Sequence, residues 1–546
     1  MKRNSLAQLF AKSFHKNWDN IVFSDYEGKD VKYGEVAQTI LSLQLFYQLS
    51  GLQRGDKIAV LGRNSANWGT IFLSAISSGL VIVPVLPDFN KTDINHIIRH
   101  SESKILIGTK SLIELVDFDL QADLKTILII EDFSLAKSKD EGAQFKLNDA
   151  FGYHKENKPG KENFEFFEWQ PEDACVISYT SGTSGFTKGV LIPERSLVSN
   201  IIFAQEHMPL KPGHKIVSFL PMAHVYGLLF EFLFPVTMGC NITFLNKMPT
   251  PALLTKVFDE IKPHLILSVP LIIEKIYKKR LLPTLEKPTI KLLLKIPGIS
   301  GVLQKKIREK LLGTFGGRFF EIVIGGAPLN TEVEQFFRKI KFPFTIGYGM
   351  TECGPLISYE AWNKTMPSSA GKLVDRMEVR IDSADPYNEV GEIQVRGENV
   401  MLGYYKNETA TRESFTDDGW LRTGDLGVID KNNFIYIRGR SKNMILGPSG
   451  QNIYPEEIES KLTNQAYVAE CVVTERKGKL VALIFPDFEA LKADHKDESH
   501  LSEMMRENIR KINAELPKYE QISSFEFVKE EFEKTPKKNI KRFKYI

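Results

Sequence analysis

The sequence predicts an α/β protein. A large N-terminal domain of parallel α/β sheets (1–440) carries a small antiparallel β unit and is followed by a small α+β C-terminal domain (441–546). Three observations predict this. Apolar runs rich in β-branched residues alternate with helix-like stretches up to about residue 358, the pattern of strand–helix–strand units with right-handed crossovers. From about 359 to 440 the strands shorten, and Gly, Asn and Asp turns break them. The Gly- and Ser-rich "GRSKNMILGPSGQN" (439–452), with Pro448, then reads as a boundary.

Taken in order, "KIAVLG" (57–62) reads as a strand, "NWGTIFLSAISSG" as a helix and "LVIVPV" (80–85) as the next strand. Helical "INHIIRHS" leads to "KILIG", and "KTILII" follows. The pattern resumes with "KIVSFL" (215–220), "ITFLN" (242–246), "LILSVP" (265–270) and "FEIVIGG" (320–326). "EVRI", "GEIQVRG" and "FIYIRG" are the short strands of the antiparallel unit. In "YPEEIESKL", Pro455 precedes acidic residues that suit a helix N-terminus.

The 546 residues suit three or four units at ~150 residues each. Apolar residues make up 42% and charged residues 25%, ordinary for a soluble globular protein. A net charge of +3 gives no bulk argument for nucleic acid, and none is expected as a partner. The four cysteines are widely separated with no C-x-x-C pair, so no zinc site or disulfide framework is read, and a reduced cytoplasmic setting is expected. The start, "MKRNSLAQLFAKSFHKNW", has no continuous apolar core and is not read as a secretory signal. Two apolar segments, Asn64 to Pro87 and "LLFEFLFPVTMGCNITFL", hold Ser, Gly, Pro, Asn or Glu. They read as buried helix followed by buried strand rather than as spans of ~20 lipid-facing residues.

The segment "YTSGTSGFTKGV" (179–190) gathers hydroxyls, glycines and one lysine, the groups that wrap phosphate oxygens. It fails the G-x-x-x-x-G-K-[ST] pattern, because Thr187 stands where the second glycine belongs, and it fails G-x-S-x-G. A flexible surface loop is the plain alternative. The apolar strand "ACVISY" (174–179) running directly into it favours a ligand loop, since strand ends are where open α/β sheets bind ligands. "GYGMTECG" resembles a dinucleotide fingerprint, but Glu352 occupies the position of the third glycine.

Five further segments, "LPMAHVYGL" (220–228), "GGAPL" (325–329), "GYGMTE" (347–352), "LRTGDLG" (421–427) and "GRSKNMI" (439–445), follow in order. Together with 179–190 they resemble the signature set of the adenylate-forming enzymes, from about residue 57 to the end. That superfamily includes acyl-CoA synthetases, peptide-synthetase adenylation domains and luciferases. The resemblance implies that a carboxylate attacks the α-phosphorus of ATP, and that the thiol of CoA then takes the acyl group. ATP, Mg²⁺ and CoA are the implied co-substrates and cofactor.

The resemblance also implies roles, residue by residue. Thr180, Ser181, Gly182, Thr183, Ser184, Gly185 and Lys188 would wrap the leaving phosphates. Glu352 would ligate Mg²⁺ as a hard oxygen, and Thr351 would bond the α-phosphate. Tyr348 and Gly349, with Gly325, Gly326 and Ala327, would border the adenine. Asp425 would accept the ribose hydroxyls, with an Asx turn as the compatible alternative, and Arg440 would make a second ribose or phosphate contact. Lys442 falls at a hinge about which the mobile C-terminal domain would rotate between half-reactions. Gly450 would let pantetheine pass close to the backbone. His224 would lie near the acyl and CoA approach, or else be a core histidine.

One departure stands at the end. Relatives carry a lysine in T-x-x-G-K-I-x-R, whereas aligning Thr535, Ile540 and Arg542 puts Asn539 at that position. An amide supplies no positive charge, so Lys537, Lys538 or Lys541 would substitute, with Lys538 preferred; a solvated basic tail is the alternative. "GGAPL" and the stretch from 439 to 459 look most like bacterial long-chain fatty acyl-CoA ligases. The variants are an enzyme that loads an acyl carrier protein and a non-catalytic acyl or nucleotide binder. Between Lys275 and Lys310 apolar and basic residues mix. This suits either an ordinary amphipathic surface or peripheral contact with the anionic inner face of a membrane.

Overall fold

The structure is a computed structural model that describes residues 4–181, 187–285, 287–294, 296, 298–446, 451–476, 478–496, 498–535 and 540–546. Two large sheets form its N-terminal body. In the first, the parallel strands Val81–Val85, Lys57–Leu61, Ser103–Gly108 and Thr126–Ile129 lie side by side. Ala174–Ser181 joins parallel to Val81–Val85. It then turns back as Thr187–Pro193, antiparallel, with Thr180 opposite Lys188 and Ser181 opposite Thr187. Residues 179–181 and 187–190 of the hydroxyl- and glycine-rich segment are therefore in the paired arms of a β-hairpin, where the sequence reading took a strand-to-loop exit.

The second sheet holds Lys215–Ser218, Leu265–Ser268, Glu321–Ile324 and Phe344–Ile346, all parallel, with Asn241–Phe244 beside the first of them. Its far edge is Ile21–Asp25 and Asp30–Lys32, a unit the sequence reading left unassigned. Because these strands run the same way, segments 219–224, 325–327 and 347–352 all emerge at one edge of the sheet.

Both suspected membrane spans are internal. Ala66–Ser77 is a helix capped by Ser65, whose hydroxyl accepts from Trp68 N, and the buried strand Val81–Val85 follows. Leu228–Leu233 is a π-helical turn leading into Phe234–Thr237 and the strand Asn241–Phe244. Trp68, Phe72 and Phe232 pack there in stacked and edge contacts, each fully buried. Burial of side chains this size stabilises by about 1.5–3 kcal/mol apiece. Among the described residues no helix is long and apolar enough to cross a membrane.

A four-stranded antiparallel sheet follows: Met377–Asp382, Gly391–Gly397, Leu421–Ile429 and Ile435–Arg440. Beyond it, Val468–Arg476, Lys479–Pro486 and Ile522–Phe527 form a three-stranded sheet covered by the helices Pro455–Thr463 and Leu501–Asn513. Its apolar residues, Ile453 to Ile522, make a core cluster separate from the one spanning Leu6 to Ile435.

Candidate active site

The hairpin and the 347–352 segment meet through a strand that sequence reasoning missed. Gly403–Tyr404 pairs with Thr187–Pro193, and Tyr405 N donates to Gly189 O at 2.8 Å. This sets Tyr404 beside the hairpin. Lys188 Nζ lies 4.9 Å from the centre of the Tyr404 ring, and the Tyr404 hydroxyl donates to Glu352 Oε1 at 2.8 Å. Met401 N also donates to Glu352 O at 2.8 Å. The predicted phosphate-side cation and the predicted metal ligand are thus tied to one tyrosine. Burial, helped by the Glu352 carboxylate, pushes the Tyr404 phenol up, so it stays a donor.

The hairpin is braced from behind. His100 Nδ1 and the Tyr179 hydroxyl share a 2.8 Å hydrogen bond, one residue before Thr180. The Thr187 hydroxyl, buried at the last paired position before the turn, has no hydrogen-bond partner among the described residues. A buried hydroxyl left so is costly unless a ligand oxygen meets it. Gly182, Thr183, Ser184 and Gly185 lie outside the described residues.

The 347–352 segment begins on Tyr348–Gly349, and Thr351 opens a short 3-10 turn that includes Glu352. Asn200 holds this turn from below, donating to Cys353 O and accepting from Leu356 N. A side chain at Gly349 would have its Cβ 2.1 Å from Pro355 O, so only glycine fits. At Gly325 an added Cβ would lie 3.2 Å from the Tyr226 ring, whose hydroxyl donates to Val323 O at 3.0 Å. Gly326 has φ +87°. Ala327 follows on the same edge.

Asp425, 4% exposed, receives the Tyr348 hydroxyl on Oδ2 and Arg440 Nε on Oδ1, both at 2.7 Å. Burial pushes this carboxyl up from its usual range, and Arg440 opposes that. Tyr348, Asp425 and Arg440 therefore form one unit. Lys442 is exposed on the short turn Ser441–Asn443. Gly450 lies outside the described residues.

His224 starts the helical turn Val225–Gly227, half-buried, its N–H donating to Pro221 O at 3.0 Å. Two buried side chains shape the segment that carries it. Glu231 Oε2 accepts from Phe219 N and Leu220 N, at 3.0 and 2.9 Å. Asn64 donates to Leu220 O at 2.7 Å and accepts from Met222 N at 3.0 Å. Neither stands in a recognisable pattern; only the polar type in an apolar run marked Glu231.

At the C-terminus, Lys537, Lys538 and Asn539 lie outside the described residues. Lys541 is paired with Glu533. Arg542 makes a two-pronged contact with Glu459, 2.7 Å to each oxygen, and donates to Val473 O.

The donor set fits its implied ligands. A carboxylate and a lysine held by one tyrosine would suit Mg²⁺ and a phosphate, the Thr187 hydroxyl, without a partner among the described residues, suits a phosphate oxygen, and the glycines at 325, 326 and 349 leave that edge without side chains.

The family model for the AMP-binding enzyme matches residues 10–405, and that for the AMP-binding enzyme C-terminal domain matches 442–546. The chain belongs to the AMP-binding enzyme family. It is 28% identical over 489 residues to the long-chain-fatty-acid–CoA ligase FadD15 of Mycobacterium bovis, covering 84% of this chain and 78% of that protein. It is 28% identical over 478 residues to long-chain-fatty-acid–CoA ligase 1 of Saccharomyces cerevisiae, covering 79% and 68%. Among solved structures, ATP-bound MatB from Rhodopseudomonas palustris superposes with a TM-score of 0.75 at 21% identity, over 99% of this chain and 98% of that one. Bacillus subtilis o-succinylbenzoate-CoA synthetase with ATP and magnesium gives 0.74 at 20%, over 98% of each. At these identities the structural likeness is one of fold.

Proposed function

We propose that the protein is an AMP-forming acyl-CoA synthetase that activates a long-chain fatty acid. The fatty carboxylate attacks the α-phosphorus of ATP, pyrophosphate leaves, and the sulfur of CoA then displaces AMP from the acyl carbonyl. The observation that carries this reading is the Lys188–Tyr404–Glu352 contact, which joins a phosphate-side cation to a carboxylate suited to a metal. The names of the relatives supply the acid and the acceptor.

In this reading the hairpin, with Thr180, Ser181, Thr183, Ser184 and Lys188, neutralises the leaving phosphates. Glu352 would hold Mg²⁺, which supplies charge neutralisation between the phosphates when bound. Thr351 bonds the α-phosphate. Tyr348, Gly349, Gly325, Gly326 and Ala327 border the base. Asp425 and Arg440 hold the ribose, oriented by the Tyr348 hydroxyl. His224 lines the approach of acid and thiol, Gly450 the path of pantetheine. Lys442 is the hinge between 1–440 and a mobile 441–546, and Lys538 replaces the lysine that Asn539 lacks. The enzyme works in the cytoplasm, in peripheral contact with anionic membrane. A carrier-protein acceptor has no specific observation in its favour.

ATP–pyrophosphate exchange over a panel of acids, followed by CoA consumption, tests the reading. Exchange driven best by long-chain acids, with stoichiometric loss of CoA thiol, is the expected result. Exchange without CoA loss, but with loading of a holo-carrier protein, would move the acceptor.

A further inference from the structure

The crossover between the strands Leu265–Ser268 and Glu321–Ile324 is built unlike the others. Among the described residues it holds five helical pieces: Pro270–Ile276, Tyr277–Leu281, Leu282–Leu285, Pro288–Leu293 and Ile299–Thr314. Between residues 270 and 310 stand eleven Lys and Arg against three Glu, a formal charge of +8 in a chain whose total is +3. The remainder of the protein is therefore net acidic, and its positive charge is concentrated here. Among the described residues, no ion pair engages Lys275, Lys278, Lys287, Lys305, Lys306 or Lys310, all of which are exposed. One of the three acids, Glu274, is turned inward and accepts from Asn330 N at 2.9 Å.

The same crossover exposes large aliphatic side chains. Leu271, Leu292, Ile299 and Val302 are 46, 63, 45 and 60% exposed. On the helix Ile299–Thr314, Ile307 and Leu311 are buried, while Ile299, Val302, Lys306 and Lys310 fall on the outward face at spacings of three and four. Its first turn is apolar outside and its later turns are basic. Leu292 lies on the preceding helix Pro288–Leu293, which contacts Ile299–Thr314.

We infer that this crossover docks on an anionic phospholipid bilayer, the aliphatic side chains entering the acyl boundary and the lysines meeting headgroup phosphates. Charge complementarity selects the occupant. Lysines near such a surface and aliphatic side chains entering it act together, and the two sets hold the protein reversibly. An acidic protein would satisfy the lysines but would leave four separate aliphatic side chains without a hydrocarbon phase.

The position gives the contact a use, and here the inference rests on the fatty acid reading. The crossover leaves the sheet at Ser268, on the edge where Gly325 N donates to Ser268 O. Its first helix is fastened by Glu274 to Asn330, just beyond "GGAPL". A membrane-dissolved acid would enter beside the adenylation site without crossing water.

Flotation of the full-length protein with vesicles tests this. Phosphatidylcholine vesicles holding 30% phosphatidylglycerol (roughly the charge density of an anionic leaflet) should carry it up at low salt, while pure phosphatidylcholine vesicles should not. Leu292→Asp with Val302→Asp, and separately Lys305→Glu with Lys306→Glu, should each reduce flotation at least fivefold. Both should keep the wild-type melting temperature and the wild-type rate on a short, water-soluble acid. Flotation indifferent to phosphatidylglycerol, or unchanged in both variants, overturns the inference, as does capture by an acidic carrier protein that the vesicles do not displace. Because flotation needs no turnover, it fails or succeeds separately from the adenylation reading.

Discussion

Asp425 Oδ2 receives the Tyr348 hydroxyl at 2.7 Å, so two segments far apart in the chain act as one buried unit. Arg440 closes it on Oδ1. Hydrogen bonds to a buried charged group are worth about 1.5–3 kcal/mol. Tyr348→Phe should therefore raise the KM for ATP roughly tenfold or more. Asp425→Asn should cost more, and the double variant should fall short of the sum by at least ~1 kcal/mol in kcat/KM, as for groups in contact. Strict additivity would show that the contact does not serve nucleotide binding.

The Tyr404 hydroxyl orients Glu352. Tyr404→Phe should raise the Mg²⁺ concentration needed for half-maximal pyrophosphate exchange several-fold and leave the rate at saturating Mg²⁺ within about threefold. Glu352→Gln should lower that rate ~100-fold or more. An unchanged Mg²⁺ requirement in Tyr404→Phe would separate Tyr404 from the metal.

Arg542 and Glu459 are 14 and 13% exposed, and Glu459 also accepts from Val473 N. Removing one partner of a buried ion pair costs about 3–5 kcal/mol. Arg542→Ala should speed amide exchange in Pro455–Thr463 and Val468–Arg476 and leave Lys57–Leu61 protected. Arg542→Lys should restore part of the loss, since one ammonium cannot span both oxygens. Equal exchange in all three elements would refute the local account.

Burial pushes the Glu321 carboxyl up to about 7, despite bonds from the Tyr359 hydroxyl and Trp362 N. A carboxyl whose folded pKa lies above its unfolded value binds its proton more tightly when folded. Its contribution to stability is thus fullest below the unfolded value and is lost as pH rises towards 7, by at most about 3 kcal/mol. The melting temperature of the wild type minus that of Glu321→Gln should fall between pH 5 and pH 7.5. A difference constant with pH would contradict this.

Much of the fold was legible because the parallel strands are continuous apolar runs separated by helical patterns, and "KIAVLG", "LVIVPV" and "LILSVP" all became strands. The edge strands Ile21–Asp25 and Asp30–Lys32 were not, since Ile21–Asp25 pairs with the distant Asn241–Phe244 and Asp30–Lys32 is a three-residue strand on its outer side. The hairpin pairing was not legible, because "YTSGTSGFTKGV" has a loop's composition. Its arms, Ala174–Ser181 and Thr187–Pro193, pair by register. In the candidate site, Lys188, Tyr348, Glu352, Asp425 and Arg440 were read from linear signatures. Tyr404, Asn200, Asn64 and Glu231 were not, because each acts through a partner between 11 and 158 residues away.

In the proposed reaction, Lys188, Tyr404 and Glu352 serve to join an acid to AMP. Incorporation of labelled pyrophosphate into ATP, measured with purified protein, Mg²⁺ and palmitate in the absence of CoA, tests it most directly. The account predicts exchange that requires the acid and falls ~100-fold or more in Glu352→Gln. Exchange that ignores the acid, or that survives intact in Glu352→Gln, would contradict it.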